Sequence, residues 1–219
     1  MNIVFDLDGT LIDSAPDIQG VANHLLVQRE KPALSLPETR SFIGEGSAVF
    51  IRRMMTAREM NATEDAFEEL HSEFLALYEK ALDKAVFYPG VVATLQTLSV
   101  AGHTLGLCTN KPESPARAVL AHMELTRFFT AFTAGGMCKS RKPDPQMLHH
   151  VIAQCPQGPT LYVGDSEIDA ETAQRADIPF ALFSGGYRKT PVNELHHDWV
   201  FDAFSELPEI VEKQAQLPS

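Results

Sequence analysis

The stretch Asn2-Ile3-Val4-Phe5-Asp6-Leu7-Asp8-Gly9-Thr10 decides how the rest of the chain is read. Three apolar residues run straight into two carboxylates and a Gly-Thr pair. A short β-branched and aromatic run of this kind predicts a strand buried on both faces, as in a parallel sheet. Along a strand, side chains at i and i+2 share a face, so Asp6 and Asp8 turn to one side while Leu7 returns to the core. Gly9 permits a sharp turn and lets backbone N–H groups come close to a ligand. Acids at the carboxyl end of a buried strand stand where open α/β sheets bind ligands. A solvated acidic turn after an edge strand is the plainer alternative, and the remainder of the chain has to separate the two.

Beyond Thr10, Asp13 or Ser14 is placed to cap a helix with Pro16 in its first turn. Ile18, Val21, Ala22, Leu25 and Leu26 then keep helical spacing. Residues 31–37 read as a loop. After a Gly44-Glu45-Gly46 break, a second helix carries Phe50, Ile51, Met54 and Met55, and a third carries Phe67, Leu70, Phe74, Leu77 and Ala81. Residues 15–86 thus read as consecutive helices with no strand between them. A crossover between parallel strands needs only about a dozen residues, so this stretch is expected to be an inserted all-helical module. From Tyr88-Pro89-Gly90 onward strands and helices alternate. Strands are expected at 104–109, 131–134, 160–163, 180–183 and 199–201, and helices at 115–123, 145–155, 168–176 and through Leu207, Ile210 and Val211. The tail 214–219 is expected to fray. Such alternation predicts a Rossmann-like parallel sheet with helices on both faces, an α/β core of residues 1–14 and 87–219 carrying a helical cap of 15–86.

A chain of 219 residues with 44% hydrophobic and 21% charged content is ordinary for a globular protein with an ample core. The net charge of −11 argues against a nucleic-acid surface, which needs a basic face. No run of about 18 apolar residues is present to span a membrane. Cys108, Cys138 and Cys155 form no Cys-x-x-Cys pattern and read as reduced thiols in a cytoplasmic protein.

Three more strand ends carry polar groups. Thr109-Asn110 offers a hydroxyl and an amide that can donate to an anion. In Arg141-Lys142-Pro143-Asp144-Pro145, helix capping accounts for Asp144 and Pro145 and leaves Lys142 without a local role. Gly164-Asp165-Ser166-Glu167-Ile168-Asp169 ends another apolar run in acids, which a helix N-terminus favours on its own. Taken singly, each has a structural explanation. Ends of one parallel sheet converge on one edge, however, so the set gathers Asp6, Asp8, Asp165, Asp169, Thr109, Asn110 and Lys142. Hard oxygen ligands of this type suit Mg²⁺, often shared with a phosphate. A carboxylate facing phosphate costs ~4 kcal/mol per unit-charge pair at 4 Å with an effective dielectric of 20. A divalent cation and Lys142 would offset that repulsion.

The four stretches Asp6-x-Asp8-Gly9-Thr10, Thr109-Asn110, Lys142-Pro143 and Gly164-Asp165-Ser166-x-x-Asp169 resemble, in order and spacing, the motifs of the haloacid dehalogenase superfamily. The resemblance spans the chain, since the helical insertion matches that family's cap. It implies that Asp6 is the nucleophile toward phosphorus and a Mg²⁺ ligand. Asp8 would move the proton and lend its backbone carbonyl to the metal, and Asp165 would be the other carboxylate ligand. Thr109, the Asn110 backbone and Lys142 would hold the phosphoryl group, with Thr10 and Asp169 behind the metal and Lys142. Dehalogenases lack the second acid. Phosphonatases need a cap lysine, and lysines occur only at the edges of the insert, at Lys31, Lys80 and Lys84. A phosphatase is therefore expected.

The stretch Phe42-Ile43-Gly44-Glu45-Gly46-Ser47-Ala48-Val49-Phe50-Ile51-Arg52-Arg53 resembles the cap signature of phosphoglycolate phosphatases, and Gly185-Gly186-Tyr187-Arg188 stands where they carry a Gly-Tyr stretch. This resemblance implies substrate contacts from Gly44, Glu45, Gly46, Arg52 and Arg53; an ordinary helix entry with solvated arginines is the alternative. The expectation is a Mg²⁺-dependent phosphomonoesterase, monomeric or homodimeric, acting on a small phosphorylated metabolite, 2-phosphoglycolate first. A sugar-phosphate phosphatase or a β-phosphoglucomutase-like phosphomutase stands second. A non-catalytic binding or regulatory protein on the same fold is the alternative of another class.

Overall fold

Ile3, Val4 and Phe5 are fully buried at the centre of a sheet in the computed structural model, which describes residues 1–217. The first strand, β1 (Asn2–Phe5), leads through a two-residue strand, β2 (Ile12–Asp13), into four helices: α1 (Ala15–Gln28), α2 (Leu36–Phe42), α3 (Ser47–Ala57) and α4 (Glu64–Tyr78). The chain returns through β3 (Val86–Phe87), which pairs antiparallel with β2. Alternation follows: α5 (Val91–Val100), β4 (Thr104–Pro112), α6 (Glu113–His122), β5 (Ala131–Gly135), α7 (Gln146–Ile152), β6 (Thr160–Gly164), α8 (Glu167–Ala176) and β7 (Phe180–Phe183). Strand β8 (Trp199–Phe201) and helix α9 (Leu207–Ala215) complete it.

The six-stranded sheet is parallel throughout, in the order β5-β4-β1-β6-β7-β8. Period-two alternation divides β1 between the faces. Ile3 and Phe5 pack with Leu95 of α5, Leu120 of α6 and Val211 of α9, while Val4 packs with Met147 of α7 and Ala173 of α8. Burial on both sides is why these strands read as unbroken apolar runs. In register, Phe5 lies beside Leu107 on one side and Val163 on the other. Their next polar residues therefore emerge at the same edge.

The four inserted helices bury a separate cluster, among them Leu25, Leu26, Ile51, Met54 and Phe74, with their backs to solvent. This is the α/β core with an inserted helical cap that the alternation predicts. Local readings change at several points. The insertion is entered and left through the β2–β3 ribbon, whose two residues per strand are too few to leave a periodic signal. Residues 31–37 are not loop throughout, because α2 starts at Leu36 on a capping box in which Ser35 and Glu38 satisfy each other's backbone N–H. Only Thr39 of α2 is buried, so no apolar stripe announces the helix, although Ser-x-x-Glu with an early proline does. Helix α7 stops at Ile152 rather than running to Cys155. In the expected frayed tail, Gln214 lies within α9 and accepts a hydrogen bond from the Trp199 indole at 2.8 Å; residues 218–219 lie outside the described residues. Among the described residues no helix is long and apolar enough to cross a membrane.

Candidate active site

Asp6 follows the last residue of the central strand, and its N–H still donates to Val163 O at 2.9 Å. The chain then turns, with the N–H groups of Thr10 and Leu11 returning to Leu7 O. Gly9 takes φ +92° in this turn, and a Cβ there would overlap the Asp165 carboxylate. Only glycine fits that conformation and that approach. The turn brings Thr10 Oγ1 to donate to Asp165 Oδ1 at 2.7 Å.

Lys142 joins the strand ends. Its ammonium lies 2.8 Å from Asp6 Oδ1, 2.7 Å from Asp169 Oδ1 and 2.9 Å from the Tyr162 hydroxyl. An ammonium has three donors, and all three are directed. Burial works against its charge, yet Asp169 and Asp6 together hold Lys142 above the ordinary lysine range. Asp169 is the N3 residue of α8. Its Oδ2 accepts from the Ser166 backbone and hydroxyl as half of a capping box, and its Oδ1 accepts from Lys142 and Tyr162. Burial pushes Asp169 up, but Lys142 and these donors outweigh it and hold the carboxyl below the usual range.

Asp6, Asp165 and Asp169 each place a carboxylate oxygen within 4.8 Å of the others. Each oxygen of Asp169 takes at least two donors, whereas each oxygen of Asp165 takes a single one, so Asp6 and Asp165 are the pair with lone pairs left for a metal. Burial pushes Asp6 up to about 7 against the pull of Lys142. Burial, reinforced by Asp169 and Asp6, raises Asp165 well above the carboxylate range. Three crowded carboxylates beside one ammonium, which pairs with Asp6 and Asp169, need more positive charge, and a hard divalent cation such as Mg²⁺ matches that donor set.

Asp8 points away from this cluster. Its Oδ1 accepts from Ser14 Oγ at 2.6 Å and from Lys111 Nζ at 3.1 Å. Ser14 sits at the N-cap position of α1, but its hydroxyl serves Asp8 and makes no cap bond; Asp13 Oδ1 accepts the Ala15 N–H instead, at 3.2 Å. Asp13 is also the foot of a strut. Tyr187 donates its hydroxyl to Asp13 Oδ1 and its backbone N–H to Asp165 Oδ2, each at 2.6 Å. The ribbon that carries the cap is thereby tied to the carboxylate on the metal side.

Thr109 is buried and lines the cavity; its Oγ1 accepts from the Lys111 N–H at 3.1 Å. Among the described residues its own proton has no partner and remains available to an anion. Asn110 is placed differently from the expectation for its amide. Its Nδ2 donates to the carbonyls of Gly44 and Lys142, and its Oδ1 accepts from the Lys142 N–H, each at 3.0 Å. The amide locks the Lys142 backbone and docks the cap loop, leaving backbone as the part of Asn110 that can meet a phosphoryl oxygen.

The loop through Ile43 and Gly44 stands over Asp6 and Asp8 and splits the space in two. One half is lined by Glu45, Lys142, Asp165 and Tyr187. The other, a cavity of about 50 Å³, is lined by Gly44, Gly46, Ser47, Tyr78, Thr109 and Lys111 with apolar Ile18, Phe50 and Phe74. Gly46, at φ +89°, abuts the Arg141 guanidinium, where a Cβ would collide. The structure does not bring the cap arginines to the cavity. Arg52 pairs with Glu64 at 2.8 Å over the Phe67 ring on the outer surface. Arg53 is held by Glu45 and by the Phe42 carbonyl. On α3 these two positions point away from the face that buries Phe50, Ile51 and Met54. Conversely, Lys111, Tyr162, Tyr78 and Ser14 belong to the site without a motif to announce them. The one available signal is Lys111 itself, a charged residue directly following Thr109-Asn110.

The haloacid dehalogenase-like hydrolase model matches residues 3–183, most of the chain. A phosphoglycolate phosphatase of Rhodobacter capsulatus is 41% identical over 210 residues, covering 96% of each chain. One of Cereibacter sphaeroides is 41% identical over 214 residues, covering 96% of this chain and 97% of its own. A crystal structure described as a predicted phosphoglycolate phosphatase from Haemophilus somnus superposes with a TM-score of 0.89 at 29% identity, covering 95% of this chain and 96% of that one. With the strand-end acids, the buried lysine and the inserted helical cap in place, the chain is a phosphatase of the haloacid dehalogenase-like hydrolase family.

Proposed function

We propose that the protein is a Mg²⁺-dependent phosphomonoesterase that works through a phosphoryl group carried on Asp6, with 2-phosphoglycolate as its substrate. The observation that carries this reading is the position of Asp6, which borders both halves of the space under the cap and touches Lys142. In this reading residues 15–86 close over a core of 1–14 and 87–219. Asp6 and Asp165 hold the metal, with the Asp8 carbonyl as a further ligand. Bound there, Mg²⁺ supplies positive charge against Asp6, Asp165 and the phosphoryl oxygens.

An Asp6 oxygen forms a bond to phosphorus as the ester P–O bond breaks, and Asp8 gives the departing alkoxide its proton. Water then attacks the same phosphorus, Asp8 takes the proton from it, and phosphate leaves with the Asp6 carboxylate restored. The Thr109 hydroxyl and the Lys142 ammonium hold the transferring oxygens, where charge stabilisation does most of the work of phosphoryl transfer. Tyr162 and Asp169 keep Lys142 aimed. Acids and donors brought together in one working arrangement favour catalysis over a binding or regulatory role.

The modest, largely apolar space favours a small substrate, and the two relatives at 41% identity carry the name phosphoglycolate phosphatase. The three cysteines are unpaired, in keeping with a cytoplasmic setting. The test is kcat/KM with Mg²⁺ over 2-phosphoglycolate, hexose phosphates and p-nitrophenyl phosphate. 2-Phosphoglycolate is expected to rank first. A hexose phosphate ranking above it overturns the substrate. Interconversion of glucose phosphates with little phosphate release overturns the phosphatase reading in favour of a phosphomutase.

A further inference from the structure

The cap-facing half of the cavity contains a cation that no step above uses. Lys111 lies two residues beyond Thr109 on the same extended strand, so the two side chains share a face and both line the cavity. The Lys111 side chain is 2% exposed. Its Nζ stands 3.1 and 3.4 Å from the two Asp8 oxygens and 4.1 Å from the centre of the Tyr78 ring, and it donates to the Tyr78 hydroxyl. Tyr78 is the last residue of α4, so this contact crosses from the sheet to the cap.

Two arguments point to what the ammonium meets during turnover. The first is charge. Lys142 is already engaged by Asp6 and Asp169, and the metal answers Asp6, Asp165 and the phosphoryl group. A second anionic group on the substrate would enter the other half, where Ile18, Phe50 and Phe74 provide no compensation. Among the described residues lining that half, Lys111 is the one cation. The Ser47 hydroxyl is taken by His71 Nε2 at 2.8 Å, and Arg52 and Arg53 face elsewhere. The second is connectivity. Asp8 has to reach the ester oxygen, and in a phosphoglycolate-type ester the carboxylate carbon is two bonds from that oxygen. Whatever stands beside Asp8 inside that half therefore stands beside the carboxylate, and of its two side-chain partners, Ser14 and Lys111, Lys111 is the one that lines the cavity.

We propose that Lys111 is a specificity-determining residue whose ammonium binds the substrate's carboxylate, with Tyr78 holding it in place. The proposal rests on the 2-phosphoglycolate reading and names the group that selects such esters. Apolar walls strengthen this ion pair relative to water.

The experiment compares 2-phosphoglycolate with ethyl phosphate, an ester without the carboxylate, in wild type, Lys111→Met and Lys111→Gln. The quantity read is the ratio of the two kcat/KM values. A charge-assisted hydrogen bond lost from a desolvated site lowers that ratio by about 100-fold. A loss that falls equally on both esters leaves the ratio unchanged and overturns the proposal, because Lys111 then acts on Asp8 or on folding alone. A wild-type ratio near one overturns instead the 2-phosphoglycolate reading on which it rests. Thermal unfolding checks each variant. Should neither Lys111 variant fold, Tyr78→Phe takes over the test, with a severalfold lower ratio expected and an unchanged ratio overturning the proposal.

Discussion

Two buried lysines face the two acids of the first strand, and they are held in opposite ways. Lys142 is surrounded within the sheet edge by Asp6, Asp169 and Tyr162, and its backbone is pinned by Asn110. Lys111 bridges two units, with Asp8 on the core and Tyr78 on the cap. The first is over-determined by contacts among strand ends of one sheet. The second depends on how four inserted helices dock. A phosphoryl site needs a rigid electrostatic frame whatever the ester, whereas a selective site must differ between enzymes that share the reaction. The division of the space under the cap separates these demands physically.

Breaking the rigid half has the largest effect. Asp6→Asn removes the nucleophile and is expected to lower kcat on the order of 10⁴-fold or more, measured as phosphate release with saturating Mg²⁺. Residual activity within tenfold of wild type would remove Asp6 from the reaction. Next, Thr10→Val takes a donor from Asp165. Loss of such a supporting bond typically weakens metal affinity by about 10–100-fold, so half-saturating Mg²⁺ should rise while kcat at saturation changes little. An unaltered Mg²⁺ titration would place the metal away from Asp165.

A third outcome concerns stability without metal. Asp6 is raised from 3.8 to about 7, so between those values the folded chain holds its proton more tightly than the unfolded chain. The stability from this group is full in acid and is lost as pH rises through about 7. In EDTA, Asp6→Asn should therefore raise Tm by roughly 5 °C at pH 8 and by less at pH 5. A gain independent of pH would show that Asp6 is not destabilised by burial. The smallest effect belongs to the outer cap. Arg52 pairs with Glu64 in solvent, and exposed pairs contribute about 0–1 kcal/mol. Arg52→Ala should leave kcat/KM within about twofold of wild type, and a larger loss would mean the cap presents a different face to substrate.

The contrast also explains what was readable in advance. Asp6 and Asp165 declare themselves because strand-then-acid patterns repeat at ends that a parallel sheet must bring together, and Lys142 because helix capping explains its neighbours and not it. Helix α2 escapes notice because one buried residue makes no stripe, and the β2–β3 ribbon because two residues make no alternation. Arg52 and Arg53 mislead for a related reason. On an amphipathic helix charges fall on the solvent face as readily as on the ligand face, and only the docking of α3 decides which. For Asn110 only the use of the side-chain amide was not legible, since it meets backbone from Gly44 and Lys142, far apart in sequence.

Spacing alone determined the α/β alternation, the inserted helices, and the convergence of two acids, a lysine and a hydroxyl on one sheet edge. These follow from periods of 2 and 3.6 and from the rule that parallel strands end together. Only the tertiary structure decided that Asp6 meets Lys142 while Asp8 meets Lys111, and that both oxygens of Asp169 are occupied. It alone paired Lys111 with Tyr78. Those facts depend on contacts between a sheet edge and a separately packed cap, and such contacts leave no local pattern because each partner's own segment is satisfied without them.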